Sequence, residues 1–333
     1  MIVAADGSGD YRTIQEALDQ IADDTNVRTV IYIRNGVYKE KLHVVKPLVS
    51  LVGENAELTI ITYDDYARKT FPNGEAYETF HSYTVFIGAD DFSAERITFR
   101  NTAGRGEAVG QALAAYVDGD RVSFKHCRFL GHQDTLFTGP LPPAPMQRTT
   151  FGGPREGMPR RNVRQYYEHC YIEGDVDFIF GSATAVFNQC EIFSKRRLGE
   201  EDPGEFPSER IHGWLTAPST PEEIRFGYVF HQCRLTSDAP SQSVYLGRPW
   251  RNYAKSAFLL CWMGEHIAAA GWDNWNKPES ERTTVFCEYR NTGPGAAVEG
   301  RVPWSAQLSD DEAEAYSPIS VLAGIDGWNP VTA

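Results

Sequence analysis

What this sequence lacks narrows its roles before any motif is considered. No uninterrupted apolar run approaches the ~18 residues that a membrane span needs. Basic residues are in short supply: 32 Lys+Arg stand against 45 Asp+Glu, a formal net charge of −13. That balance argues against a nucleic-acid or anionic-membrane partner, because both require Lys and Arg to replace counterions. The six cysteines contain no C-x-x-C pair, and no two histidines stand at metal-ligand spacing, so a zinc site is not expected. There is no N-x-[ST] acceptor, and no G-x-S-x-G elbow of a serine esterase. Met1 runs into IVAADGSGDYRTI with neither a basic n-region nor an apolar h-region, which reads as a removed leader or a cytoplasmic protein. Helical periodicity is scarce as well. It is clear only over residues 11–24, where Thr13 can cap an apolar stripe of Ile14, Ala17, Leu18 and Ile21.

What is present is a large apolar fraction arranged as short strands. Hydrophobic residues make up 41% of the 333 residues and aromatics 12%, ample for a sizeable core. The cysteines mark a degenerate repeat: FKHCRFLG (124–131), YEHCYIEG (167–174), FNQCEIFS (187–194) and FHQCRLTS (230–237), with AFLLCWMG (257–264) a looser copy. Each has an aromatic residue three positions before the cysteine. Between them lie further alternating runs ended by Gly, Asn or Asp, such as TVIYIRNGVY and ERITFRN. Many short strands, few helices and a repeat predict a solenoid whose coils feed long parallel sheets. A β-sandwich or propeller is the competing architecture. The missing tight Asn-Gly or Asp-Gly hairpins between the cysteine segments count against the first, and the uneven repeat length against the second. The expectation is an all-β, right-handed parallel β-helix, one domain over residues 1–333, with the N-terminal helix closing one end. Its cysteines should form an internal ladder of buried thiols, one per coil. A Cys170–Cys190 disulfide between neighbouring coils is the alternative.

Extending two of the copies gives the chemistry. HCRFLGHQDTLF (126–137) and HCYIEGDVDFIF (169–180) both read H-C-x-x-x-G-x-x-D-x-x-F, which places Asp134 and Asp177 at one phase of the coil. They are 43 residues apart, but 139–164 is rich in Pro, Gly and Arg and reads as an inserted loop of 26 residues, leaving 17, about one coil. Two carboxylates on adjacent coils cannot both ionise freely, and such pairs perform acid–base or nucleophilic work on esters, glycosides and peptides. Gln133 adjoins Asp134, and Gln111 lies 22 residues earlier; amide donors beside a carboxylate pair suit a developing oxyanion. In YLGRPWRNY (245–253), Arg248 can hold one aspartate ionised, while Trp250 offers a flat face to a sugar ring.

At these residues the chain resembles the pectin methylesterases (pectinesterases, carbohydrate esterase family 8). The matching blocks are Gly36-Val37-Tyr38-Lys39-Glu40, Gln111-Ala112-Leu113-Ala114, Gln133-Asp134-Thr135-Leu136, Gly174 through Gly181 and Leu246-Gly247-Arg248-Pro249-Trp250. Weaker matches are DGSGDYRTI, ITFRNTAG (97–104), GWDNW (271–275) and EYRNTGPGA (288–296), so the resemblance spans nearly the whole chain. It implies a right-handed parallel β-helix and hydrolysis of the C6 methyl esters of galacturonate in pectin or oligogalacturonides. By resemblance, Asp177 is the nucleophile, Asp134 the general acid and then base, and Gln111 and Gln133 the oxyanion stabilisers. Arg248 and Trp250 bind substrate, Phe180 packs beside the sugar ring, and Thr84 in HSYTV is a further substrate contact. No metal or organic cofactor is implied, and the family's setting is extracellular or periplasmic. The competing functions are a β-helix hydrolase or lyase acting on the pectate chain, and a non-catalytic pectin-binding solenoid. The net charge of −13 carries one more expectation, that de-esterified product is repelled and demethylation is scattered.

Overall fold

A computed structural model describes residues 1–146, 148–197 and 211–331. The chain winds as a right-handed parallel β-helix, each coil giving one strand in turn to three sheets of eleven, seven and eight strands. All strand pairings within these sheets are parallel. The other two sheets serve as the crossover that a parallel pair requires, which is how so many parallel strands coexist with so little helix.

The repeat seen in the sequence is the internal wall of this coil. Phe124, Tyr167, Phe187, Phe230 and Phe258 sit opposite one another on successive strands of the eleven-stranded sheet. Their rings stack at centroid distances of 5.1, 4.7, 4.6 and 4.4 Å, with interplanar angles of 13° or less. Two residues on, each coil bends through a residue with left-handed backbone: His126, His169, Gln189, Gln232 and Leu260 have φ between 51° and 56°. The cysteine that follows turns inward. Cys127, Cys170, Cys190, Cys233 and Cys261 are all buried free thiols, so the Cys170–Cys190 disulfide does not form. From Cys170 to Cys261 along this ladder, each thiol donates to the carbonyl of the aromatic rung one coil earlier, at 3.2–3.5 Å. The ladder is shorter than expected. Cys287 pairs with Ala257 instead of with Cys261, and Asn291 completes the stack by accepting from the Cys261 N–H and donating to the Phe258 carbonyl.

The N-terminal helix forms over Ile14–Asp19, shorter than its periodic segment. Thr13 and Glu16 make a reciprocal capping box, and Ile14, Ala17, Leu18 and Ile21 close the open end of the core. Two short C-terminal helices, Asp310–Glu314 and Pro318–Leu322, escaped the periodicity reading because neither spans two turns. Val321 and Leu322 of the second cover the outer face of the eleven-stranded sheet at Tyr166, Val186 and Val229.

The predicted inserted loop leaves the coil after strand Leu136–Thr138 and rejoins it at strand Arg164–Glu168; its residue Gln147 lies outside the described residues. The loop folds back over the outer face of the seven-stranded sheet. There Arg155 forms a 2.6 Å ion pair with buried Asp118, and Gly153 N–H donates to His81 Nε2 at 2.8 Å.

Candidate active site

The site lies on the outer face of the seven-stranded sheet, where strands Ala115–Val117, Leu136–Thr138, Val176–Gly181, Gly213–Pro218 and Val244–Gly247 run side by side. Leu136 pairs with Ile179 and Phe137 with Phe180, so the register that follows Asp134 and Asp177 is the one the repeat predicted. Both aspartates have left-handed backbone, with φ of 62° and 50°. Asp and Asn tolerate that region better than other residues with a Cβ, yet it stays uncommon away from glycine. At Asp177 the strand also bulges. Val176 pairs with Trp214 and Ile179 with Thr216, so two residues face the single Leu215. Phe178 and Ile179 both enter the core, while Asp177 and Phe180 are released to the outside.

These side chains open into a cleft of about 380 Å³. Gln111, Gln133, Asp134, Asp177, Phe180, Arg248 and Trp250 all line it, so seven of the eight residues picked from sequence converge there. Thr84 does not. It is fully buried inside the coil, and its hydroxyl donates to the Arg100 carbonyl at 3.0 Å, leaving nothing to offer a ligand in the cleft. Thr79, five residues earlier, lines the cleft instead.

The two carboxyls have unlike surroundings. Arg248 grips Asp177 through Nε to Oδ1 at 2.8 Å and Nη2 to Oδ2 at 2.7 Å, a bidentate charge-assisted pair. Among the described residues, the Asp134 carboxyl has no hydrogen-bond partner, and neither do the side-chain amides of Gln111 and Gln133. Burial pushes the Asp134 pKa well above the usual carboxylate range; the neighbouring Asp177 charge raises it further, and Arg248 opposes this only partly. Burial raises Asp177 too, but there Arg248 opposes it both through its charge and through its hydrogen bonds. The surroundings therefore favour the protonated form at Asp134 and, through Arg248, the ionised form at Asp177.

Arg248 is itself held. Its guanidinium lies 3.8 Å from the ring centroids of both Trp214 and Trp275, one on each side. Asp273 ties the two tryptophans together, accepting from Trp214 Nε1 at 2.7 Å and from the Trp275 N–H at 2.8 Å. Trp275 belongs to the GWDNW block, whose place beside Arg248 could have been suspected; Trp214 stands in no recognised motif. The inserted loop supplies a further wall through Met146 and Phe151, and Phe151 meets Trp250 and Phe80 edge-on at 6.3 and 5.6 Å. Phe180 packs on Phe137 at 5.0 Å and on Trp250 at 5.7 Å.

Comparison with known proteins gives one consistent result. The sequence profile of the family described as Pectinesterase matches residues 1–140 and 144–325. Pectinesterase 31 of Arabidopsis thaliana is 36% identical over 318 residues, covering 93% of this chain and 88% of that protein. Among solved structures, pectin methylesterase PemA from Erwinia chrysanthemi superposes with a TM-score of 0.79 at 29% identity, over 99% of this chain and 97% of its own. A pectin methylesterase in complex with a hexasaccharide matches equally, with a TM-score of 0.79, 29% identity and the same coverage of 99% and 97%.

Proposed function

Since the chain belongs to the pectinesterase family, we propose that it hydrolyses the C6 methyl esters of galacturonate in pectin, releasing methanol and leaving de-esterified pectate. It is a carboxylic ester hydrolase like its named relatives. The observation that carries the mechanistic reading is the division of labour between two carboxyls one coil apart, one clamped by Arg248 and the other without a cation of its own.

In the first half-reaction an Asp177 oxygen attacks the ester carbonyl. The carbonyl electron pair moves onto oxygen, where the Gln111 and Gln133 amide N–H groups, without other partners among the described residues, receive the oxyanion. Collapse of the tetrahedral intermediate breaks the bond to methoxide, and Asp134 gives that oxygen its proton, so methanol departs and an acyl-Asp177 anhydride remains. Asp134 is now a carboxylate. It takes a proton from water as the water oxygen attacks the galacturonyl carbonyl, the anhydride bond breaks back onto Asp177, and both aspartates return to their starting states. Arg248 favours this cycle because it stabilises Asp177 as a leaving carboxylate. Trp250 and Phe180 give the sugar ring a flat apolar contact.

The hexasaccharide held by a structural relative supports a pectin-derived chain as the ligand. Pectin is a cell-wall polymer, so this reading carries an extracellular or periplasmic setting with it, and the six free thiols are compatible with that setting because all are buried. The deciding experiment measures methanol release and new reducing ends together on methylated pectin. Methanol without reducing ends is the expected result; reducing ends or unsaturated products without methanol would show a chain-cleaving enzyme instead.

A further inference from the structure

An oxyanion donor has to be in place before charge develops on the substrate. Yet among the described residues no hydrogen bond orients the Gln133 amide, and its side chain is only partly buried where it lines the cleft. Packing has to do the orienting, and on one side the packing partner is a glycine. Gly106 opens the short helix Gly106–Val109 and is itself buried. A methyl group on its Cα would lie 2.6 Å from Gln133 Oε1, 2.7 Å from Gln133 Cβ and 3.4 Å from Gln133 Cδ. The amide oxygen could swing aside, but Cβ is fixed by the backbone. Backbone strain does not account for this glycine. Gly104 and Gly110, which flank it, have φ of 121° and 77°, and the atoms nearest an added Cβ stand 3.9 and 3.6 Å away, so there the backbone asks for glycine and the space does not. At Gly106 the demand is reversed: its backbone is ordinary helix, which alanine adopts more readily than glycine, and only the space is missing. The helix is also anchored. Arg68 Nη1 donates to the Glu107 and Ala108 carbonyls at 3.0 and 2.9 Å, Arg197 Nε donates to Glu107 Oε1 at 2.9 Å, and the Gln111 carbonyl that follows accepts from the Ala67 N–H at 2.8 Å.

We propose that Gly106 is a positioning residue for the reaction: its bare Cα is the wall against which the Gln133 side chain rests, so that the amide oxygen lies toward the helix and the N–H₂ end is presented to the oxyanion. The inference rests on the oxyanion role given to Gln133 above and adds the part that keeps this donor in place. An amide held by a wall, and not by a hydrogen bond, keeps both N–H protons for the substrate. The same arrangement tolerates no side chain at residue 106.

The experiment measures steady-state methanol release from methylated pectin by wild type, Gly106→Ala, Gln133→Gly, the double variant and Ala108→Gly, with circular dichroism to establish that each is folded. Gly106→Ala should lower kcat at least about tenfold and leave KM within about twofold, because the displaced amide acts in the transition state. In Gln133→Gly the methyl has no side chain to meet, so adding Gly106→Ala should cause no further loss. Ala108→Gly weakens the same helix at an exposed position and brings no atom toward Gln133, so it should keep wild-type kcat. A role confined to building the helix predicts the opposite: the same loss from Gly106→Ala in both backgrounds, and a loss in Ala108→Gly. Either of those results, a Gly106→Ala enzyme with wild-type kcat, or a loss carried by KM overturns the proposal and leaves the esterase reading standing. A folded Gln133→Gly enzyme with wild-type kcat removes Gln133 from the oxyanion, and the proposal with it. A wild type that releases no methanol overturns the esterase reading itself.

Discussion

Arg248 meets Asp177 with two parallel hydrogen bonds of 2.8 and 2.7 Å, whereas Asp134, at the same phase one coil earlier, meets no cation in this way among the described residues. Side-chain exposures of 13% for the arginine and 9% for the aspartate keep this pair under weak solvent screening. The proposed division between nucleophile and proton donor rests on that single asymmetry.

Replacing Asp177 by Asn should lower kcat on the order of 10⁴-fold or more, the scale expected when a nucleophile is removed. Asn accepts left-handed backbone as readily as Asp, so the fold should survive at φ near 50°. Methanol release and circular dichroism together check this. Near wild-type kcat in a folded variant would remove Asp177 from the role.

Gln111→Leu and Gln133→Leu should each reduce kcat by about 10²–10³-fold with little change in KM, as for other oxyanion donors. A change confined to KM would make the amides ground-state binders.

The raised pKa of Asp134 has a sign that stability measurements can read. A carboxyl whose folded value exceeds its unfolded value of ~3.9 binds more protons in the native state, so stability falls as pH rises from about 4 through the folded value. Asp134→Asn, which cannot ionise, should melt higher than wild type at pH 7–8, and the gap should close toward pH 4. In wild type, deprotonation of Asp134 in the free enzyme should set the alkaline limb of kcat/KM. A melting difference that stays constant across this range would contradict the assignment.

Trp275→Leu uncovers one face of the Arg248 guanidinium. A desolvated cation–π contact is worth up to about 2 kcal/mol, so kcat/KM should fall roughly tenfold. Because the loosened arginine holds Asp177 less firmly, the acid limb of the pH profile should move up. Steady-state kinetics between pH 4 and 8 would show both effects.

Arg155→Ala removes the cation that meets buried Asp118 and ties down the inserted loop. Burial pushes Asp118 up to about 6 with the arginine present, so its carboxyl readily takes a proton when the partner is lost. That limits the stability loss to about 2 kcal/mol. KM should rise severalfold while kcat changes little, since the loop walls the cleft but carries no reacting group.

Much of this was legible in the sequence because a solenoid repeats its side-chain phases. The aromatic three residues before five of the six cysteines, and the aspartate seven after two of them, are spacings that a coil converts directly into neighbours. The readings that went astray depended on departures from that phase. Cys287 shares the residue type but lies within strand Val285–Tyr289, and Thr84 shares a motif but points inward. The Trp214–Arg248–Trp275 sandwich joins three coils at spacings with no common period. The bulge at Asp177 is equally silent, because an extra residue in one strand shows only when its partner strand is known.

The inserted loop enters the chain between the two aspartates in sequence, yet the strands that follow them remain hydrogen-bonded neighbours, with Leu136 opposite Ile179. Strand pairing, and not chain length, sets how far apart the carboxyls stand. The segment that shapes the cleft can therefore lengthen, shorten or be exchanged by recombination while the reacting pair stays in register. In such an architecture, the range of polymers accepted and the chemistry performed on them are free to evolve at separate rates.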